Sequence, residues 1–273
     1  MFECVINVSE GRDLAVLDTF SRAAGASLRD RHHDAFHNRS VFTLINNGPD
    51  LVADVRALID AVMSRLDLSR HQGVHPRLGV VDVVPFVALA PDTPEGAVRL
   101  RDETAQWVAR THGVPVFLYG PLPHGERTLP DVRARAFGDL EPDLGPAHAD
   151  ARRGAVVLGA RPVLVAWNLW LTGVTLEQAR AIARALRGPG VRALGLAVGD
   201  RVQVSCNLVD LERARPSDVY DRVAASLTPP GRIERAELVG LAPRSLLARE
   251  DSRRWAQLGL SEDATIESRL ARR

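Results

Sequence analysis

Lysine does not occur anywhere in this 273-residue chain; all 35 basic residues are arginine. That absence excludes a Schiff-base lysine, a phosphate-gripping Walker lysine and a lysine general base. Cysteine is nearly as scarce. Cys4 and Cys206 each sit inside an apolar run, far apart, so a secreted disulfide framework is excluded and a reduced, buried pair is expected. Long apolar stretches are missing as well: no run of about 18 apolar residues exists, and no membrane span or membrane partner is expected. The chain opens on the strand-like run Phe2-Glu3-Cys4-Val5-Ile6-Asn7-Val8 without a preceding basic stretch, which argues against a signal peptide and for a cytoplasmic location. There is no basic run with interleaved aromatics, so nucleic acid is not an expected partner. Glycine fingerprints for dinucleotides and nucleotide phosphates are absent, and Ser9-Glu10-Gly11-Arg12 is not a nucleophile elbow.

What is present is an ordinary globular composition, 45% hydrophobic and 25% charged with a formal charge of +1, long enough for two domains. β-Branched and apolar runs bounded by turn residues predict strands at roughly 2–8, 26–32, 40–47, 79–88, 114–119 and 154–159. Helical periodicity predicts helices near 12–24, 50–66 and 95–112, with a short one after Thr128 that carries Pro130 in its first turn. The second half reads as strand 162–170, helix 175–187, strand 191–198, a tight turn at Gly199-Asp200, strand 201–210, helix 216–227 and strand 232–239. That order is β-α-β-β-α-β, and the first half begins the same way. The expected fold class is therefore α+β: two ferredoxin-like (split βαβ) subdomains with open mixed sheets and outer helices, residues 1–160 and 161–273, and a ligand cleft between them.

Chemistry concentrates in histidine. His32, His33 and His37 fall close together before Asn38-Arg39-Ser40, and His71 and His75 share a loop punctuated by Gly73, Pro76 and Gly79. Spacing of four would put His71 and His75 on one face of a zinc-binding helix. Gly73 and Pro76 interrupt such a helix, and the His-Glu-x-x-His form is missing. Solvated surface histidines are a second reading of the pair. A third is proton transfer, because histidine both accepts and returns a proton near neutral pH. Arg70 and Arg77 flank the loop and suit an anionic substrate. Spacing alone does not choose among the three.

An ordered set of strings resembles the glutamate formimidoyltransferase family, the formiminotransferase half of formimidoyltransferase-cyclodeaminase. They begin with Glu3-Cys4-Val5-Ile6-Asn7-Val8-Ser9-Glu10-Gly11, Asn38-Arg39-Ser40-Val41-Phe42-Thr43 and Ser69-Arg70-His71-Gln72-Gly73-Val74-His75-Pro76-Arg77-Leu78-Gly79. They continue through Val114–Gly120, Arg127-Thr128-Leu129-Pro130, Asp143-Leu144-Gly145-Pro146, Ala166-Trp167-Asn168-Leu169 and Gln203–Leu208. The cyclodeaminase half has no counterpart in this sequence.

The resemblance implies transfer of a formimidoyl group from N-formimidoylglutamate to N5 of tetrahydrofolate in histidine breakdown, by a homodimer without a metal. The family's general base maps onto His75. Its folate-binding stretch maps onto Gly145–Gly154, with Gly145, Pro146, His148, Arg153 and Gly154 as contacts; an arginine there replaces a tryptophan, and a guanidinium can stack on a pteridine. Asn38, Arg39, Arg70, His71 and Arg77 are the remaining candidates for holding substrate and folate. A related folate-dependent formyl transferase with another donor, and a folate-binding protein without turnover, are the alternatives.

Overall fold

The computed structural model describes residues 1–272 and separates into two compact units, Met1–Pro162 and Val163 onward. In the first unit the strands are β1 (Phe2–Val8), β2 (Leu28–Asp34), β3 (Arg39–Asn46), β4 (Val81–Ala88), β5 (Val116–Leu122), β6 (Gly125–Arg127) and β7 (Val156–Ala160). Its helices are α1 (Leu14–Ala23), α2 (Gly48–Arg65), α3 (Pro94–His112) and α4 (Leu129–Arg135). Each start has a local cause. Asp13 accepts from Ala15 N and Val16 N at the head of α1, and Asn47 accepts from Asp50 N at the head of α2. Thr128 and Asp131 cap α4 reciprocally, with Pro130 in its first turn.

The first sheet runs β2-β3-β1-β4-β7-β5-β6. β2, β3, β1 and β4 pair antiparallel, whereas β7 lies parallel to both β4 and β5. Phe2, Cys4, Ile6 and Val8 of β1 point to one face, where Leu17 and Phe20 of α1, Val55 and Ile59 of α2 and Ala105 and Val108 of α3 bury them. Burial of each large apolar side chain stabilises the unit by about 1.5–3 kcal/mol. On the other face α4 sets Val132 against Val83, Phe117, Tyr119 and Val157. The β1–β4 register shifts between Asn7 and Val8, a bulge of the kind that re-aims side chains at a strand end.

In the second unit the strands are β8 (Val165–Thr172), β9 (Val191–Val198), β10 (Arg201–Leu208) and β11 (Arg232–Val239), and the helices are α5 (Leu176–Leu186), α6 (Pro216–Ser226), α7 (Arg244–Ala248) and α8 (Ile266–Ala271). The order β11-β8-β10-β9 is antiparallel throughout, with β10 inserted between β8 and β9. Gly199-Asp200 closes the β9–β10 hairpin as a two-residue turn, with Gly199 left-handed at φ 64°. Trp167 lies at the centre of this unit's core, and its indole N–H donates to the Leu258 carbonyl at 2.8 Å. Cys4 and Cys206 are both buried and unbridged, one in each unit's core.

The α+β order follows the sequence reading, with small departures. β2 starts at Leu28 rather than 26 because Asp54 accepts from Ser27 N at 3.0 Å and from its Oγ at 2.6 Å, holding Gly25–Ser27 in a 3-10 turn. β6, α7 and α8 were not anticipated.

Candidate active site

α2 ends at Arg65, and Asp67 starts a single 3-10 turn, Leu68–Arg70, by accepting from Ser69 N at 3.1 Å. From His71 to the start of β4 the chain has little regular structure and is pinned residue by residue. A Cβ on Gly73 would lie 2.3 Å from the His37 carbonyl oxygen, and one on Gly79 would lie 2.2 Å from the Ala155 carbonyl oxygen. Only glycine permits approaches this close.

Three loops converge here. Asn38, 7% exposed and left-handed at φ 47°, accepts from Gly11 N at 2.9 Å and donates Nδ2 to the Gln72 carbonyl at 3.0 Å. His71 Nε2 lies 2.8 Å from the Asn38 carbonyl, so this nitrogen carries the proton and donates. Ser9 Oγ donates to the Gly79 carbonyl at 2.8 Å. His71 is therefore a tie between loops; burial lowers its pKa.

His75 differs. Its Nδ1 lies 2.7 Å from the Pro76 carbonyl, which places the proton on Nδ1 and leaves the Nε2 lone pair to act as an acceptor. The His37 ring stands edge-on to it, with centroids 6.0 Å apart. Burial, then the Arg39 guanidinium, push the His75 pKa down to about 3, against the opposing pull of the Pro76 carbonyl and Asp82. The imidazole is therefore neutral at neutral pH.

Beside it lies a charge trio. Arg39 Nη1 and Arg133 Nη2 each donate to Asp82 Oδ2 at 2.6 Å, and Leu78 N donates to Oδ1 at 2.8 Å. Asp82 is fully buried. Burial would raise its pKa, but Arg39 and Arg133 outweigh burial and hold the carboxyl at about 2. Arg39 is also clasped by Asn7 Oδ1, 3.2 Å from Nε and 2.8 Å from Nη2. Arg77 folds back on its own loop, donating to the Gly73 carbonyl and, at 2.8 Å, to the His75 carbonyl.

The structure thus gathers Asn38, Arg39, His71, His75 and Arg77 into one cluster. The Gly145–Gly154 segment reaches this cluster through backbone: Val80 N donates to the Arg153 carbonyl at 3.0 Å, and Gly79 and Gly154 form an antiparallel bridge. The Arg153 guanidinium itself turns to Asp150 at 2.8 Å, and Arg152 turns to Asp67 at 3.1 Å. Gly145, Pro146, His148 and Arg70 are exposed. The sequence reading missed Asn7, Asp82 and Arg133. Asp82 left one signal, a carboxylate inside the apolar run Val80-Val81-Asp82-Val83-Val84. Among the described residues no group of three or more His, Cys, Asp or Glu is placed to hold a metal ion, and no helix is long and apolar enough to cross a membrane.

A family model described as the formiminotransferase domain, N-terminal subdomain, matches residues 1–161. The chain belongs to the formiminotransferase family. Glutamate formimidoyltransferase of Streptococcus pyogenes is 33% identical over 268 residues, spanning 90% of each chain. Glutamate formimidoyltransferase of Thermoplasma acidophilum is 30% identical over 99% of this chain and 97% of its own. Formimidoyltransferase-cyclodeaminase of Sus scrofa is 35% identical over 90% of this chain but only 51% of its own length. All of the His75 cluster lies within the part that the formiminotransferase model matches.

Proposed function

We propose that this formiminotransferase moves the formimidoyl group from N-formimidoyl-L-glutamate to N5 of tetrahydrofolate, the one-carbon step of histidine degradation, with His75 carrying the proton. One observation supports the role of His75 above all: its imidazole is neutral, fixed at Nδ1 by the Pro76 carbonyl, and has its Nε2 lone pair free. N5 of tetrahydrofolate attacks the amidine carbon and a C–N bond forms. N5 then gives its proton to Nε2, and the imidazolium returns that proton to the glutamate nitrogen as its C–N bond breaks. Glutamate and 5-formimidoyltetrahydrofolate leave, and His75 is neutral again. A base positioned in this way contributes about 10²–10⁴-fold in rate.

Tetrahydrofolate enters as co-substrate. Gly145, Pro146, His148, Arg153 and Gly154 are proposed as its contacts, on the strength of the backbone bridge between Gly79 and Gly154 and the exposure of Gly145, Pro146 and His148. Asn38 and His71 are proposed to hold the loops in register, and Arg70 to meet incoming carboxylates from its exposed position. We read the two units as the N- and C-terminal formiminotransferase subdomains, each built on the split βαβ strand order, and the working form as a cytoplasmic homodimer without a metal. The test is an absorbance assay for product from N-formimidoylglutamate and tetrahydrofolate. The wild type should give product and His75→Ala should lose at least about 10²-fold in kcat. Near-normal turnover by His75→Ala would remove the role. Product only from formyl or non-glutamate donors would replace the donor.

A further inference from the structure

The residues beside His75 hold more positive charge than the local fold needs. Arg39 and Arg133 come from different elements, β3 and α4, yet both donate to the same oxygen of one buried carboxylate. Two guanidiniums and one carboxylate leave the trio with a net single positive charge. Arg39 is the more committed, since Asn7 occupies its other side. Arg133 meets Asp82 with Nη2 at 2.6 Å and Nη1 at 3.4 Å, so both ends of its guanidinium face that one carboxylate. The Nε–H and the outer Nη hydrogens are left over in a fork that suits a second carboxylate.

We propose that Arg133 forms a carboxylate-binding subsite next to His75, with Arg39 adding its charge beside it, and that Asp82 is the positioning residue that holds the two guanidiniums there. The anion is a carboxylate of the amino-acid donor, an identity that rests on formimidoyl transfer being the reaction. A consequence for the base follows from electrostatics alone. The charged groups facing His75 are Arg39 from β3, Asp82 from β4, Arg133 from α4, Arg77 from its own loop and the titratable His37 ring. Arginine charge and burial make the free imidazole a weak base. A carboxylate seated on the arginines cancels the excess charge, so His75 gains proton affinity when the donor is bound. The base is then weak in the empty site and strengthened in the loaded one.

The experiment is a histidine NMR titration of the full chain, with His75 assigned through His75→Gln and L-glutamate as the probe. Saturating glutamate should raise the His75 titration midpoint by about one pH unit or more, a tenfold gain in proton affinity. Arg133→Gln should raise that midpoint without ligand, weaken glutamate binding about tenfold and blunt the further rise that glutamate causes. Asp82→Asn keeps the shape but leaves the guanidiniums uncompensated; it should raise the donor KM about tenfold and shift the acid limb of the kcat profile. If that variant does not fold, Arg133→Gln decides. Glutamate that leaves the His75 titration unmoved, or binds Arg133→Gln as tightly as wild type, overturns the proposal. The glutamate titrations of wild type and Arg133→Gln need no turnover, so a failure of the formimidoyl-transfer assay alone is told apart from a failure of the subsite.

Discussion

Asn38 gives a sharp quantitative test because its backbone and its side chain can be separated. Its side chain joins the Gly11 amide to the Gln72 carbonyl, at 2.9 and 3.0 Å, and its backbone carbonyl receives the His71 proton. Asn38→Ala strands a buried N–H on Gly11, which costs about 1–3 kcal/mol, and loses the bond to the half-buried Gln72 carbonyl, about 0.5–1.5 kcal/mol. The alanine must also adopt φ 47°, which costs roughly a further 1–2 kcal/mol for a residue with a Cβ and no local hydrogen-bonding side chain. The sum is about 2.5–6.5 kcal/mol. Asn38→Gly loses the same two bonds but not the left-handed penalty, so it should sit about 1–2 kcal/mol above the alanine variant.

Because the bonds tie loops rather than core strands, the loss should appear first as local opening. Hydrogen exchange at the Gly11 amide reads that opening directly, and chemical denaturation of both variants reads what reaches the whole unit. Turnover should fall in both, since His75 lies three residues beyond the anchored Gln72. Equal stability of the alanine and glycine variants, or protection of the Gly11 amide unchanged in either, would refute the account of Asn38 as the latch.

Two further outcomes follow from the same site. Gly73→Ala should lower kcat more than about tenfold, because its Cβ would lie 2.3 Å from the His37 carbonyl and the loop carrying His75 must move; kinetics within twofold of wild type would count against a fixed loop. The pH dependence of stability has a defined sign. His75 falls from 6.5 to about 3 on folding, so the folded protein disfavours its protonated form; that contribution is fully present above 6.5 and is lost as the pH falls toward 3. Asp82 falls from 3.8 to about 2, so its contribution is present above 3.8 and is lost as the pH drops toward 2. Denaturation midpoints at pH 7 and pH 4.5 should therefore differ less in His75→Gln than in wild type, and an equal difference would contradict the assignment.

Much of the fold was legible because each element carries its own start and stop. Asn47 with Pro49, Thr128 with Asp131, and Thr175 with Gln178 are helix heads that single residues announce. Gly113 ends α3 with φ 61°, and β-branched residues mark β1, β3 and β4. What escaped has no such signal. β6 is three residues, Gly125–Arg127, made a strand only by its partner Pro121 and neighbours. α7 and α8 are a single turn or two, too short for periodicity to register. Pairing is also invisible in a single sequence: nothing in the order of residues says that β7 enters between β4 and β5.

The site divides along the same line. Spacing treats His71 and His75 alike, and the family resemblance picked His75. The structure supplies the physical difference, which is where each ring spends its N–H. His71 uses Nε2 to hold a neighbouring loop, whereas His75 uses Nδ1 on its own loop and keeps Nε2. The arginines were harder to rank. Arg39, Arg70 and Arg77 stood out as neighbours of the histidines, but Arg39 and Arg77 are bound up in Asn7, Asp82 and backbone carbonyls. Arg133, 51 residues from Asp82 in the chain, reads in sequence as one more exposed arginine in a short helix. Only the buried acid reveals it. A carboxylate with no exposed surface must be matched by cations or left protonated, so an aspartate set among four valines was already a demand for distant positive charge. The sequence states that demand; the fold answers it twice, with Arg39 and Arg133, and the second answer is the surplus on which substrate recognition can be built.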